Sequence, residues 1–257
     1  MGKLKIGLML GGGGAKGAYQ LGVIKALEEA GIDIIINPGA DLNSSIKAVS
    51  LAEKYENIYA AVGVHPHSAS EMDEATMDML RAFANRDKVV AIGEIGLDYY
   101  YDNSPRDVQR KWFREQLNLA KEVGLPVIIH SREASSDTFE IIKEAQDGRL
   151  TGVMHCYSGS VDLAMEYIKL GFYISLAGPV TFKNAKKPKE VAKAIPLDKL
   201  LIETDSPYMA PEPYRGKRND PRYVRYVAET IAQIKGISFE EVARKTSENA
   251  KRLFRIK

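Results

Sequence analysis

Short apolar runs alternate with amphipathic stretches along the whole chain. Eight of these runs are rich in branched residues and are followed by turn or polar residues, which is typical of strands buried on both faces. The stretches between them have the three-to-four-residue apolar spacing of helices. The predicted strands are Leu4–Leu10, Ile32–Asn37, Ile58–Val64, Val89–Gly93, Pro126–Ile129, Thr151–Met154, Gly171–Leu176 and Lys199–Glu203.

The helical stretches complete a set of repeated strand–helix units. They are Ala15–Ala30, Ser44–Tyr55, Met72–Ala84, Pro105–Val123, Ser136–Ala145, Asp162–Leu170, Lys186–Ala194, Pro221–Lys235 and Phe239–Leu253, the last opened by Ser238 with Glu241 three residues later. Alternating units predict an α/β fold, and eight evenly spaced units in 257 residues favour a (β/α)8 TIM barrel over a doubly wound sheet. We expect one domain over residues 1–257, with residues 1–33 as an atypical first unit.

Composition narrows the function classes only slightly. The formal net charge of +2 predicts no general affinity for polyanions, so any nucleic-acid binding must come from a local patch. The single cysteine, Cys156, fits a reducing compartment. No run approaches the roughly 20 apolar residues of a membrane span, and the N-terminal sequence lacks the pattern of a signal peptide. We expect a cytoplasmic enzyme with no membrane contact and no obligate protein partner.

Four of the predicted strands end in side chains that bind metal ions. Glu94, His130, His155 and Asp205 each follow a buried apolar run, and the carboxyl ends of barrel strands face one common mouth. A buried carboxylate needs a compensating charge, which a divalent cation supplies. Nitrogen and oxygen ligands without thiolate suit Zn, Mn, Co, Ni or Mg, and the sequence leaves the identity open. The alternative is that both carboxylates pair with Lys or Arg.

From about residue 34 to the C-terminus the chain resembles the TatD-type metal-dependent hydrolases, a branch of the amidohydrolase-like barrels. The matching motifs occur in order over more than four-fifths of the chain. They are Asn37–Leu42, Val62–His67, Ile92–Asp98, His130–Arg132, His155–Gly159, Gly178–Thr181, Glu203–Tyr208, Arg215–Asn219 and Glu248–Ala250.

This resemblance implies a phosphodiesterase that acts on DNA, often as an exonuclease, with divalent metals. It implies that Glu94 bridges two metals, that His130 and His155 bind one of them, and that Asp205 binds the other. His65 would contact the scissile phosphate or the second metal shell. Asp205 could also orient or deprotonate the attacking water. The expected partner is DNA, either single-stranded or at a 3′ or 5′ end.

The first strand departs from the family pattern. Family members begin with Asp-Thr-His-x-His, whose histidines hold the second metal, whereas all four histidines of this chain lie at positions 65, 67, 130 and 155. One site has therefore lost two ligands, while Glu94, His130 and His155 keep a three-ligand set with an open position for water. We expect one tight metal site rather than two and impaired catalysis. An inactive scaffold is the alternative.

The segment Lys5–Gly22 resembles the start of patatin-type lipid acyl hydrolases, which suggests a chimera made by design or recombination. Acyl hydrolysis is disfavoured because the chain has no Gly-x-Ser-x-Gly motif. Gly12, Gly14 and Gly17 also satisfy Gly-x-Gly-x-x-Gly, which is weak alone. The simplest interpretation is a tight strand-to-helix turn. If the turn is functional, the N–H groups of Gly12, Gly13 and Gly14 would hold an anion.

Two segments could contact substrate. The loop Tyr208–Arg225 follows the last strand and carries Arg215, Lys217 and Arg218, which could bind flanking phosphates without reading sequence. Tyr99, with the two tyrosines that follow it, could stack on a nucleobase. The alternative for both segments is an ordinary solvated surface.

Overall fold

A computed structural model describes residues 31–257, with the exception of residue 33. The predicted strand Leu4–Leu10, the predicted helix Ala15–Ala30 and the glycine turn at Gly12, Gly13 and Gly14 lie outside the described residues. Seven strands occur in the part of the chain that is described, and they confirm the other seven predicted strands. They are β1 (Ile35–Pro38), β2 (Ile58–Val62), β3 (Val89–Asp98), β4 (Val127–Arg132), β5 (Gly152–Met154), β6 (Tyr173–Leu176) and β7 (Leu200–Ile202).

Helices follow the strands as predicted, with ends shifted by one or two residues in most cases. They are α1 (Leu42–Lys54), α2 (Glu74–Ala84), α3 (Arg106–Val123), α4 (Ser135–Ala145), α5 (Val161–Lys169), α6 (Lys186–Ala194), α7 (Val224–Lys235) and α8 (Phe239–Phe254). The predicted helix Pro221–Lys235 begins with a separate 3-10 turn, Pro221–Tyr223. No helix among the described residues is long and apolar enough to cross a membrane.

The chain divides into two compact units. Residues 37–155 and 166–173 form the histidine unit, which holds all four histidines of the sequence. The described residues of the C-terminal unit are 31, 32, 34–36, 156–165 and 174–257. The organisation of residues 1–257 as one domain stays a prediction.

In the histidine unit, β2, β3, β4 and β5 are parallel neighbours in chain order. Every residue of β3 is buried, which fits a sequence that is apolar except at Glu94 and Asp98. Glycines let β3 and β4 approach closely. A Cβ at Gly93 would lie 2.6 Å from the Ile128 Cβ, and one at Gly96, where φ is +138°, would lie 2.0 Å from the His130 carbonyl oxygen.

β3 is longer than the sequence predicted. Its predicted end was Gly93, but the strand continues to Asp98 with an irregular register between Ile92 and Ile95. The glycines of this stretch accommodate the neighbouring strand. The consequence is that both Glu94 and Asp98 lie within the strand.

In the C-terminal unit, β6 and β7 are parallel neighbours. Ser238 caps α8 by accepting a hydrogen bond from the Glu241 backbone N–H, as its spacing predicted. The buried Asn249 side chain of α8 donates to the carbonyl oxygens of Leu197 and Leu200. These two bonds tie the last helix to the start of β7.

Candidate functional site

Three histidines and a glutamate lie within or shortly after the strands β2 to β5. His65 comes shortly after β2, where it begins the 3-10 turn Pro66–Glu71. Glu94 lies in β3 and His130 in β4. His155 directly follows β5, and its backbone N–H donates to the Ile129 carbonyl. The parallel order of these strands brings the four side chains to one edge of the histidine unit.

The four side chains converge on one carboxylate oxygen. Glu94 Oε1 lies 3.0 Å from His130 Nδ1 and 3.6 Å from the Nε2 atoms of both His65 and His155. Donor atoms of His65, Glu94 and His130 all lie within 4.8 Å of one another. Ligands held about 2.1 Å from a tetrahedral metal are roughly 3.4 Å apart, so the donor chemistry and the spacing both fit a divalent cation.

The protonation states of Glu94 and His65 suit a bound cation. Burial alone would raise the pKa of the Glu94 carboxyl, but His155 and the hydrogen bond from His130 outweigh burial and hold this pKa well below its usual range. Burial is also the main factor that lowers the pKa of His65 to about 3, against the opposing charge of Glu94. At neutral pH the site therefore offers an anionic oxygen and a neutral imidazole.

Asp98 is a buried member of this group that the sequence reasoning missed. Its Oδ2 lies 3.0 Å from the Nε2 atoms of both His67 and His130. Its Oδ1 accepts the backbone N–H groups of Tyr100 and Tyr101 at 3.0 and 2.9 Å. The spacing from Glu94 was the available signal, since residues four apart on a strand share a face.

His130 is held between two carboxylates. Burial would lower its pKa, but the hydrogen bonds to Asp98 and Glu94 prevail and raise it above the usual value. With Nε2 directed at Asp98, the ring presents Nδ1 to Glu94. A carboxylate behind a histidine in this way fixes the tautomer and orientation of a metal ligand.

Two buried glutamines of α3 hold the backbone around the site. Gln116 accepts from the Val64 N–H at 2.7 Å and donates to the Val64 carbonyl at 3.1 Å, next to His65. Gln109 accepts from the Asp98 N–H at 2.9 Å and donates to the Asp98 carbonyl at 3.2 Å. Each amide replaces the pairing that a neighbouring strand would supply. Sequence patterning gave no sign of this role.

Asp205 and its neighbour Glu203 belong to the C-terminal unit. Asp205 follows β7 with a positive φ of 56° and is partly exposed. Glu203 is fully buried, and its carboxylate accepts the Cys156 backbone N–H. The structure thus brings together Glu94, His65, His130 and His155, whereas the place of Asp205 in the metal site stays a prediction.

The basic residues of the loop after β7 are exposed. The Arg215 guanidinium lies 4.2 Å from the Phe182 ring centroid, and Lys217 Nζ lies 5.9 Å from that of Tyr214. Arg218 is also exposed. The buried Asn219 anchors the end of this basic run. Its amide donates to the carbonyl oxygens of Thr204 and Tyr208, both at 2.6 Å.

The hydroxyl and the ring of Tyr99 are both engaged by neighbouring side chains, which leaves less of the ring open for stacking on a nucleobase. Its hydroxyl donates to Asp137 Oδ2 at 2.6 Å, and the Arg106 guanidinium covers its ring at 4.3 Å. Tyr100 and Tyr101 are 59% and 54% exposed and leave more ring surface open. A contact between Tyr99 and substrate stays a prediction.

The comparisons with known proteins identify the family. The family model described as "TatD related DNase" matches residues 17–255. The metal-dependent hydrolase YabD of Bacillus subtilis is 52% identical over 234 residues, which cover 91% of this chain and 92% of that protein. The metal-dependent hydrolase YcfH of Escherichia coli K12 is 43% identical, covering 80% of this chain and 77% of its own length.

The structure of YjjV, a TatD homologue from Escherichia coli K12, superposes with a TM-score of 0.90. It is 30% identical in sequence, and the match covers 97% of this chain and 98% of that one. The predicted α/β fold of the TIM-barrel type is thereby confirmed, whereas the suggested patatin-type origin of the N-terminal segment gains no support. The chain belongs to the TatD related DNase family, and it is a hydrolase.

Proposed function

We propose that this protein is a metal-dependent phosphodiesterase that acts on DNA. The observation that carries the proposal is the convergence of three histidine nitrogens on Glu94 Oε1 at 3.0 to 3.6 Å. Glu94, His65, His130 and His155 would hold one divalent cation. Asp98 would keep the His130 ring in the orientation that this task needs.

A bound divalent cation would supply a water nucleophile at neutral pH and neutralise charge on the phosphoryl oxygens. Glu94 and His65 are already in the protonation states that bind a cation. Asp205 is proposed to orient or deprotonate the water. Arg215, Lys217 and Arg218 are proposed to bind phosphates beside the scissile bond, and single-stranded DNA or a DNA end is the proposed substrate.

The sequence of the first predicted strand indicates that DNA cleavage by this protein is slower than cleavage by an intact family member. It lacks the His-x-His pair, and no histidine other than those at 65, 67, 130 and 155 is present in the sequence to replace it. We therefore propose one tight metal site and weak turnover. The same observation favours a second candidate, a metal-binding protein that has lost catalysis.

Hydrolysis of a single-stranded oligonucleotide with added Mn²⁺, Mg²⁺ or Zn²⁺ tests the proposal. We expect slow, chelator-sensitive cleavage that Glu94→Gln abolishes together with metal binding. Glu115→Gln is the matched control, because Glu115 is an exposed residue of α3. Cleavage that survives both chelator and Glu94→Gln contradicts the proposal. Metal binding without cleavage supports the second candidate.

A second experiment separates slow turnover from complete loss. Leu8→His combined with Leu10→His introduces a His-x-His at the end of the predicted strand Leu4–Leu10. We expect an increase in cleavage and in the number of metals bound per chain. No change in either quantity would contradict the role assigned to the missing pair.

A further inference from the structure

The geometry points to Arg132 as a phosphate-binding residue beside the candidate metal centre. It would bind the phosphate next to the scissile one in a single-stranded nucleic acid. This inference rests on the proposed function for its substrate class, and its own support comes from the surroundings of the Arg132 side chain.

Arg132 lies on the strand that carries His130. The two residues are two positions apart in β4, so their side chains share a face about 6.6 Å apart along the strand. The parallel register places Arg132 opposite Asp98, as it places His130 opposite Gly96. Arg132 is therefore the next side chain outward from the metal-binding group on this face.

Asp98 does not need Arg132 as a counter-ion. Its carboxylate already has four hydrogen-bonding partners, His67, His130 and the backbone N–H groups of Tyr100 and Tyr101. Four is about the number that a carboxylate can accommodate. Among the described residues, the Arg132 guanidinium makes no ion pair and no side-chain hydrogen bond, and the side chain is exposed.

Aromatic rings hold this guanidinium in place. Its carbon lies 4.0 Å from the Tyr100 ring centroid and 4.8 Å from that of Tyr101. A cation–π contact of this kind leaves the N–H donors of the guanidinium without an anionic acceptor. A planar fork of free donors, held in advance, matches the two oxygens of a phosphate.

Arg106 makes a similar contact with a tyrosine ring, but its N–H donors are hydrogen-bonded to a carboxylate. Its guanidinium lies 4.3 Å from the Tyr99 ring centroid, but it also bonds Asp102 at 2.6 to 3.1 Å through both Nε and Nη2. The Arg106 guanidinium is therefore already paired with a carboxylate, whereas the positively charged Arg132 guanidinium has no anion bound to it among the described residues. The distance along β4 assigns Arg132 to a flanking phosphate.

Binding of a hydrolysis-resistant probe tests this role apart from turnover. The probe is fluorescein-labelled hexathymidylate with phosphorothioate linkages, and its anisotropy is followed with the full-length protein at several salt concentrations. The variants are Arg132→Met and Arg132→Lys, with Arg106→Met as the matched control. We expect Arg132→Met to weaken binding about tenfold and to reduce the salt slope by about 0.7. Arg132→Lys should keep the slope but lose part of the affinity.

Arg106→Met should bind the probe as the unmodified protein does. The inference is overturned if Arg132→Met binds within twofold of the unmodified protein, if Arg106→Met loses as much affinity, or if the unmodified protein does not bind the probe. Binding through Arg132 without cleavage of the ordinary oligonucleotide leaves this inference standing and removes the proposed function. Cleavage of the ordinary oligonucleotide, together with probe binding that Arg132→Met does not change, removes this inference and leaves the proposed function standing.

Discussion

Replacement of Gln116 by leucine should destabilise the protein and disturb the site through the main chain. The Gln116 amide accepts from the N–H of Val64 and donates to its carbonyl, and it also donates to the Trp112 carbonyl at 3.3 Å. Gln116 is 1% exposed and Val64 3% exposed, so water cannot replace the lost partner. Leucine has a similar volume but can make none of these bonds.

The magnitude follows from the two backbone groups left unpaired at Val64. Each buried group without a partner costs about 1–3 kcal/mol, so the expected loss in the free energy of unfolding is about 2–6 kcal/mol. A cavity adds little, because leucine fills most of the space. Since His65 directly follows Val64, the altered backbone should also weaken metal binding.

Urea denaturation and titration with Mn²⁺ measure the two effects. Asn118→Leu is the control, because Asn118 is an exposed amide on the same helix. It should change the free energy of unfolding by less than about 0.5 kcal/mol. If Gln116→Leu is as stable as this control and binds metal with unchanged affinity, the argument that the amide supports the His65 segment is wrong.

Three other predictions concern the metal-binding group. Asp98→Asn should reduce metal affinity about 10- to 100-fold while the protein stays folded, as measured by calorimetry; unchanged affinity would contradict the positioning role of Asp98. Because the pKa of His130 is raised, a bound proton competes with the cation, so metal affinity should increase as pH rises through this pKa and decrease below it; an affinity independent of pH as the pH rises above the usual histidine range would contradict this. Gly96→Ala should cost far more stability than Gly148→Ala, since both have positive φ but only Gly96 would place its Cβ against a carbonyl oxygen. The control should lose about 1–2 kcal/mol, and equal losses in urea denaturation would refute the steric argument.

The described strands, and the placement of Glu94, His130 and His155 on them, could be predicted because the signals are local. A short buried run followed by a polar side chain marks a strand, and this rule assigned Glu94, His130 and His155 to three neighbouring strands, although β3 and β4 continue beyond their predicted ends. The rule missed Asp98, because the predicted strand ended at Gly93. Gly93 and Gly96 are positions where β4 comes too close for a side chain.

The supporting hydrogen bonds could not be predicted from local patterns. Gln116 and Val64 are 52 residues apart, and a glutamine in an amphipathic helix is ordinarily assigned to the solvent face. The stacking of Arg132 on Tyr100 depends in the same way on how two neighbouring strands end. The Arg132 contact arises from the register of β3 and β4, and the Gln116 contact from the packing of α3 beside the residues after β2, and the sequence specifies neither by itself.

The seven-residue interval between Gln109 and Gln116 has a consequence for how this protein can vary. Seven residues make nearly two helical turns, so both amides project from the same side of α3. Inserting or deleting one residue between them would rotate one amide by about 100° relative to the other. Either the segment before His65 or the end of β3 would then lose its support. The segment between Gln109 and Gln116 should therefore tolerate substitutions of its exposed residues, but it should tolerate neither an insertion nor a deletion.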